Sequence, residues 1–193
     1  MKKTVVILLA IAIFNSCTTI GSLPTFRQSF KTSSVDGRTD FIELNDGKII
    51  EGKMENINYM GFDNYPRIGK KFTINGANYK FDEIKSIQHK SKYFCKYKNY
   101  FVERIIKGRI NVFTATQTTA PSEKGRVTSY NLYYLQKGDN SIIEFFNNKL
   151  MDNYIADNKM AVSKFDDYKK LTSREKNKDG GSYLTDIIET YNK

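Results

Sequence analysis

The chain has 193 residues, a formal net charge of +10, three prolines and two cysteines. Two cysteines exclude a disulfide framework, and no segment repeats at a fixed period, which excludes a solenoid or propeller. The stretch from residue 40 to the end suffices for one domain that buries roughly two-thirds of the surface its unfolded form exposes, and no Pro- or Gly-rich linker divides it.

Residues 1–16 read as a processing signal, with Met1-Lys2-Lys3 followed by an apolar run from Val5 to Phe14 that ends in Asn15-Ser16. A bilayer core of roughly 30 Å needs about 20 apolar residues as a helix, so this run fits a secretory segment better than a permanent span. Phe14-Asn15-Ser16-Cys17 resembles the lipobox of a bacterial lipoprotein of the Bacteroidota type, with a small residue before the cut and cysteine after it. The resemblance implies cleavage after Ser16, a thioether-linked diacylglycerol on Cys17 and an acyl group on the new amino end. At roughly 0.8 kcal/mol per buried CH₂, two or more chains hold a protein stably where one holds it marginally. The alternative is a plain secretory peptide with a cysteine near its cut. With Cys17 acylated, Cys95 has no intramolecular partner.

Residues 17–39 are rich in Thr, Ser and Gly without periodicity and read as a tether from the lipidated cysteine. Thr18 is not the aspartate of inner-membrane retention, and "TTIGSL" lacks an acidic surface-export cluster, so the resemblance implies an outer-membrane, periplasm-facing protein. Cleavage removes two lysines from the +10 and no acid, leaving +8. Export argues against nucleic acid as the partner and leaves anionic lipid, glycan or an envelope protein. Of the 31 basic residues 24 are lysine, so scattered solvated lysines explain the balance as well as an anion-binding face does.

Turn chemistry organises residues 40–146 into seven or more antiparallel strands, a meander or partly open barrel. Asn45-Asp46-Gly47 and Asn75-Gly76 are hairpin signals, followed by a strand over residues 84–90 and turns at Lys107-Gly108-Arg109 and at residues 137–140. Over residues 127–136, Tyr130, Leu132 and Tyr134 alternate with Ser129, Asn131 and Tyr133, which predicts one apolar face and one polar face carrying an aromatic. The segment 114–129 is long for a hairpin and reads as a loose strand connection.

From residue 147 the period becomes helical. Leu150, Met151, Tyr154 and Ile155 form one stripe behind Asn147-Asn148 as caps, and residues 160–171 form a second helix. Gly180-Gly181 predicts a break, with Ser182 capping a third helix whose face is Leu184, Ile187, Ile188 and Tyr191. Short helices need a surface, so the expected class is α+β, with two or three C-terminal helices packed on the sheet.

Chemical motifs are sparse. His89 lacks companions for a zinc site and reads as a surface or strand histidine, and Cys95 reads as a buried strand thiol without an identifiable base. Asp82-Glu83 and Asp166-Asp167 are adjacent pairs that diverge on a strand or a helix. No phosphate-binding glycine motif or serine-nucleophile motif occurs, so no cofactor, metal or catalytic residue is assigned. The surface singled out is "KYFCKYKNYF", residues 92–101, where Lys92, Tyr93, Lys96, Tyr97, Lys98 and Tyr100 interleave cations with rings able to stack on sugars and pair with anions. Its plainer reading is a strand or loop with half-buried tyrosines and solvated lysines.

Taken in order, "FIELNDGKIIEGKM", "INGANYKFDEI", "VERIIKGRINVF", "NLYYLQKGDNSI" and "LTDIIETYN" resemble a broad set of exported Bacteroidota proteins with a β-rich domain and C-terminal helices. The resemblance covers turns and core positions, implies a shared fold and carries no catalytic residue onto this chain. The first hairpin is also similar to those of small SH3-like barrels. The expected function is a membrane-anchored envelope lipoprotein with a non-catalytic binding or structural role. The alternatives are a cell-envelope hydrolase using scattered carboxylates, and an immunity or inhibitor lipoprotein.

Overall fold

The computed structural model describes residues 39–55, 71–118 and 129–193. The signal segment, Cys17, nearly all of the tether and the middle of the 114–129 connection lie outside the described residues. The described strands are β1 (Phe41–Leu44), β2 (Ile49–Glu51), β3 (Met54–Glu55), β4 (Lys71–Ile74), β5 (Ala77–Lys80), β6 (Ile84–His89), β7 (Lys92–Tyr97), β8 (Tyr100–Ile106), β9 (Ile110–Thr118), β10 (Ser129–Lys137) and β11 (Glu144–Phe145). Three helices follow: α1 (Asn148–Ile155), α2 (Lys159–Lys170) and α3 (Ser173–Asn192).

The fold is α+β. An open eight-stranded antiparallel sheet has the order β11-β10-β9-β8-β7-β6-β1-β2, beside a three-stranded sheet β3-β4-β5. The meander from β6 to β11 is extended at its far end by the first hairpin, because β1 pairs with β6 with Ile42 opposite Ile87. The sheet does not close as an SH3-like barrel would. Gly47, Gly76 and Gly138 take the left-handed φ values of 85°, 77° and 76° that their turns require, as the turn signals predict.

One face of the large sheet is covered along its whole width. The small sheet brings Met54, Phe72 and Ile74 against Ile42, Ile84, Ile87, Phe94 and Phe101. The helices bring Met151, Phe165, Leu184, Ile187, Ile188 and Tyr191 against Ile105, Ile110, Val112, Tyr133 and Leu135. Burial of this kind stabilises by roughly 25 cal/mol per Å² of apolar surface, which is why helices too short to persist alone form here. Each helix starts at a side-chain cap, with Asn147 accepting from Leu150 N (2.9 Å), Asn158 from Ala161 N (3.1 Å) and Thr172 from Glu175 N (3.3 Å).

Three expectations are corrected. Gly180-Gly181 does not break the chain, because α3 runs through both glycines from a capping box in which Thr172 and Glu175 bond reciprocally. Each glycine costs about 1 kcal/mol relative to alanine in a helix. Both are buried, where a bare backbone permits close approach, and Thr185 Oγ1 donates to the Gly181 carbonyl (2.8 Å). Ser182 is thus an exposed helix-interior residue and caps nothing. The predicted polar face of β10 is also overturned. Tyr133 and Leu135 are 5% and 2% exposed beneath the helices, while Tyr134 is 1% exposed on the other face, so both faces are buried.

Residues 92–101 hold β7, a turn and the start of β8. They turn at Lys98 (φ 53°), and a second tight turn at Lys90-Ser91 (φ 46° and 65°) precedes β7. Neither turn contains the glycine that marks the others. Finally, the last strand shrinks to Glu144–Phe145, with Ile142 left 74% exposed.

Candidate functional site

The second face of the large sheet forms the site. Side chains alternate along a strand, so Tyr93, Cys95 and Tyr97 of β7 share this face with their cross-strand partners Arg104, Val102 and Tyr100 of β8. Phe41 and Glu43 of β1 extend it on one side, and Tyr134 of β10 with Phe145 of β11 on the other. In a flat sheet seven strand gaps would hold β2 and β11 roughly 34 Å apart. Yet Ile49, Phe41 and Glu43 from one end and Ile142, Ile143 and Phe145 from the other line one cleft of about 1220 Å³. The sheet therefore curls into a trough, with its two edge strands as rims.

Aromatic rings run across the trough floor. Phe41 lies 6.2 Å from Tyr93, and Tyr97 lies 5.5 Å from Tyr100 and 4.7 Å from Tyr134, which in turn meets Phe145 edge-on at 5.5 Å. The hydroxyls of Tyr100 and Tyr134 share a 2.6 Å hydrogen bond, which fixes both rings. The guanidinium of Arg104 stacks on Tyr93 with its carbon 4.0 Å from the ring centroid, and the Lys98 ammonium lies 5.3 Å from the centroid of Tyr97.

Polar chemistry concentrates at the β1 side. Lys85 Nζ donates to Glu43 Oε1 and Ser86 Oγ to Oε2, each at 2.6 Å. The bond to Glu43 holds the Lys85 ammonium above its ordinary pKa. Burial pushes the Cys95 thiol up to about 11, although a hydrogen bond with Tyr93 and the charge of Arg104 oppose the shift. Burial likewise raises the Tyr93 phenol. A thiol so raised is a poor nucleophile at neutral pH. Of the other carboxylates lining the trough, Glu144 accepts from the Tyr154 hydroxyl (2.6 Å) and Asp139 from Asn111 Nδ2 (2.8 Å). Among the described residues no group of His, Cys, Asp and Glu is placed to hold a metal ion.

The six residues singled out from the sequence divide between the two faces. Tyr93, Tyr97 and Tyr100 line the trough or adjoin it, and Lys98 stands at its rim. Lys92 and Lys96 send their ammonium groups to the covered side. Lys92 Nζ pairs with Glu103 (3.1 Å), and Lys96 Nζ donates to the Asp82 carbonyl (3.1 Å) and lies over Phe81 (5.6 Å). His89, 8% exposed at the end of β6, contacts Asp40 Oδ2 through Nδ1 (2.7 Å). The adjacent acids do not converge: Glu83 accepts from Lys80 N, while Asp166 and Asp167 pair with Lys169 and Lys170 on exposed helix surface.

Sequence reasoning missed Phe41, Glu43, Lys85, Arg104, Tyr134 and Phe145. The available signal was period-two alternation on either side of a Lys-Asn turn, which groups Tyr93, Cys95 and Tyr97 with Tyr100, Val102 and Arg104. Among the described residues no helix is long and apolar enough to cross a membrane. No protein family, curated protein or solved structure matches the chain.

Proposed function

We propose that this chain is a lipoprotein of the bacterial envelope, acylated at Cys17, anchored in the outer membrane facing the periplasm, and holding a non-catalytic ligand in the trough of its large sheet. The observation that carries the binding role is the uncovered face. Small sheet and helices cover the other face, whereas on this one Phe41 and Tyr134 are buried in the floor and Tyr93, Tyr97 and Phe145 stay half-buried around a cleft of about 1220 Å³. Folding alone gives no reason to leave such a concave aromatic surface open, and concave, mostly pre-formed clefts with a few fixed polar groups are how proteins hold ligands.

The non-catalytic part is supported by how the reactive groups are engaged. Glu43 is committed to Lys85 and Ser86, Glu144 to Tyr154, and the Cys95 thiol is shifted away from reactivity. A glycosidase-type mechanism needs two carboxyl groups across the scissile bond, one of them a proton donor. The anchor is supported by the run from Val5 to Cys17.

The test of the anchor is the mass of protein extracted from its native membrane, beside Cys17→Ser. Loss of residues 1–16, added acyl mass on Cys17, and release of the variant from the membrane fraction are the expected results. An unmodified Cys17 on a soluble wild type would remove the anchor.

A further inference from the structure

The rims of the trough carry apolar side chains that the fold does not use. Among the described residues four large apolar side chains are exposed, and two of them, Ile49 at 45% and Ile142 at 74%, stand on its opposite rims. Ile142 follows the polar run Asp139-Asn140-Ser141 in the connection between β10 and β11, where a polar residue would serve folding as well. Between the rims lie half-buried Tyr93 and Tyr97, and exposed Lys98 and Lys107 also line the trough. This mixture suits the boundary between hydrocarbon and headgroups, where isoleucine tips meet acyl chains, phenol rings lie at headgroup level and ammonium groups reach phosphate.

Charge and chain connectivity select the partner. Five cationic residues, Arg104 and Lys107 among them, and three acidic ones line the trough, a balance of +2 whatever pairs they form with one another. That sign attracts an anionic surface, and each lysine or arginine close to such a surface strengthens binding about five-fold. Residues 18–39, whatever their conformation, reach at most about 75 Å, and the first strand they lead into begins at Phe41, in the trough itself. The rim formed by β1 and β2 is thus the part of the sheet closest along the chain to an acylated Cys17. A protein partner would have to be brought to this rim, whereas a leaflet holding the anchor is already there, and tethering makes a weak surface contact intramolecular.

We infer that the rims of the trough dock on the leaflet that holds the anchor, with Ile49 and Ile142 entering its surface and the trough between them taking the headgroup of an anionic phospholipid. The trough cations meet the phosphate, while Asn140, Ser141 and Asn147 offer hydrogen bonds to glycerol and headgroup oxygens. The inference rests on the reading that Cys17 is the anchor and the trough the ligand site.

Binding is measured with the mature chain from Thr18 on, which keeps every described residue and carries no acyl chain. The vesicles are phosphatidylcholine alone, or phosphatidylcholine and phosphatidylglycerol in equal parts. An environment-sensitive fluorescent residue stands at position 142 in one protein and at position 160, on the exposed start of α2, in another. The mixed vesicles should bind ten-fold or more tightly than the neutral ones. On them the probe at 142 should brighten and shift to the blue, and the probe at 160 should not. Ile142→Asp should lose ten-fold or more and Met160→Asp nothing. Lys98→Gln should lose about five-fold, and Lys159→Gln, on the helix side, nothing. Equal affinity for the two kinds of vesicle, equal responses at 142 and 160, undiminished binding by Ile142→Asp, or no binding to vesicles by protein with native near-ultraviolet dichroism would each overturn the inference. A response of the 142 probe to a galacturonic acid tetrasaccharide but not to vesicles would give the trough to a soluble acidic glycan and overturn it as well. None of these outcomes touches the mass test of Cys17, because the chain tested has no anchor, so either reading can fail alone.

Discussion

Asn192 in the last turn of α3 is hydrogen-bonded to the backbone of the sheet. Asn192 accepts from Ile110 N (2.8 Å) and donates to Ile110 O (3.1 Å), taking the place of a neighbouring strand where β8 has already turned away. Ile110 is fully buried, so Asn192→Ala leaves a backbone donor and an acceptor without their partners. At about 1–3 kcal/mol for each unsatisfied group, with water entry setting the lower end, the variant should lose about 2–4 kcal/mol of stability. For a domain of this size that is a fall of roughly 5–15 °C in Tm.

The opposite side of the joint is Gly108, which has an ordinary negative-φ backbone but sits so close that a Cβ would overlap the amide of Asn192. Gly108→Ala should therefore displace the same amide and destabilise comparably. In the Asn192→Ala background the methyl has nothing to strike, so the double variant should be about as stable as Asn192→Ala alone. Urea unfolding of the four proteins gives the coupling directly. A loss under about 0.5 kcal/mol for Asn192→Ala, or additive losses in the cycle, would refute the claim that this amide acts as a strand substitute.

Three further outcomes follow from the same physics. Glu175 has its pKa lowered, first by the Thr172 hydroxyl and then by the Thr172 backbone N–H. A carboxyl depressed on folding contributes stability that is present above its unfolded pKa of 4.5 and is lost as pH falls through the lower folded value. The Tm gap between wild type and Glu175→Gln should accordingly be open at pH 7 and close in acid, and a gap unchanged at pH 2 would contradict the cap. Cys95, pushed up from 9.0 to about 11, should react with iodoacetamide at pH 8 about 100-fold more slowly in folded Cys17→Ser protein than after unfolding, since the thiolate fraction falls in that ratio. Comparable rates in the two states would show that the thiol is not shielded. Phe165, fully buried between α2 and the rest of the helical layer, should cost about 3–5 kcal/mol as Phe165→Ala, read by urea unfolding.

Local signals made the scaffold legible. Gly47, Gly76 and Gly138 announce their turns because only a residue without Cβ enters the left-handed region freely, and Asn147 announces α1 by its capping amide. The turns at Lys90-Ser91 and Lys98 were not legible, because cross-strand pairing imposes left-handed φ on residues with no preference for it. Gly180-Gly181 misled for the converse reason: tertiary burial of a helix face outweighs about 2 kcal/mol of propensity.

The site was legible only in part. Tyr93, Tyr97 and Tyr100 stand within one short stretch, but Glu43, Tyr134 and Phe145 join them through β1–β6 and β10–β11 pairing, and no local window contains that information. Composition also grouped Lys92 and Lys96 with the tyrosines, where the two-residue period of a strand sends them to the other face.

The most direct test of the trough as the ligand site is photocrosslinking in the native envelope, with a photoreactive residue at Tyr97 in one strain and at Tyr183, 43% exposed on α3, in another. The account predicts a discrete adduct from position 97 and none from position 183. Adducts of the same kind and yield from both positions, or from position 183 alone, would place the ligand elsewhere and contradict it.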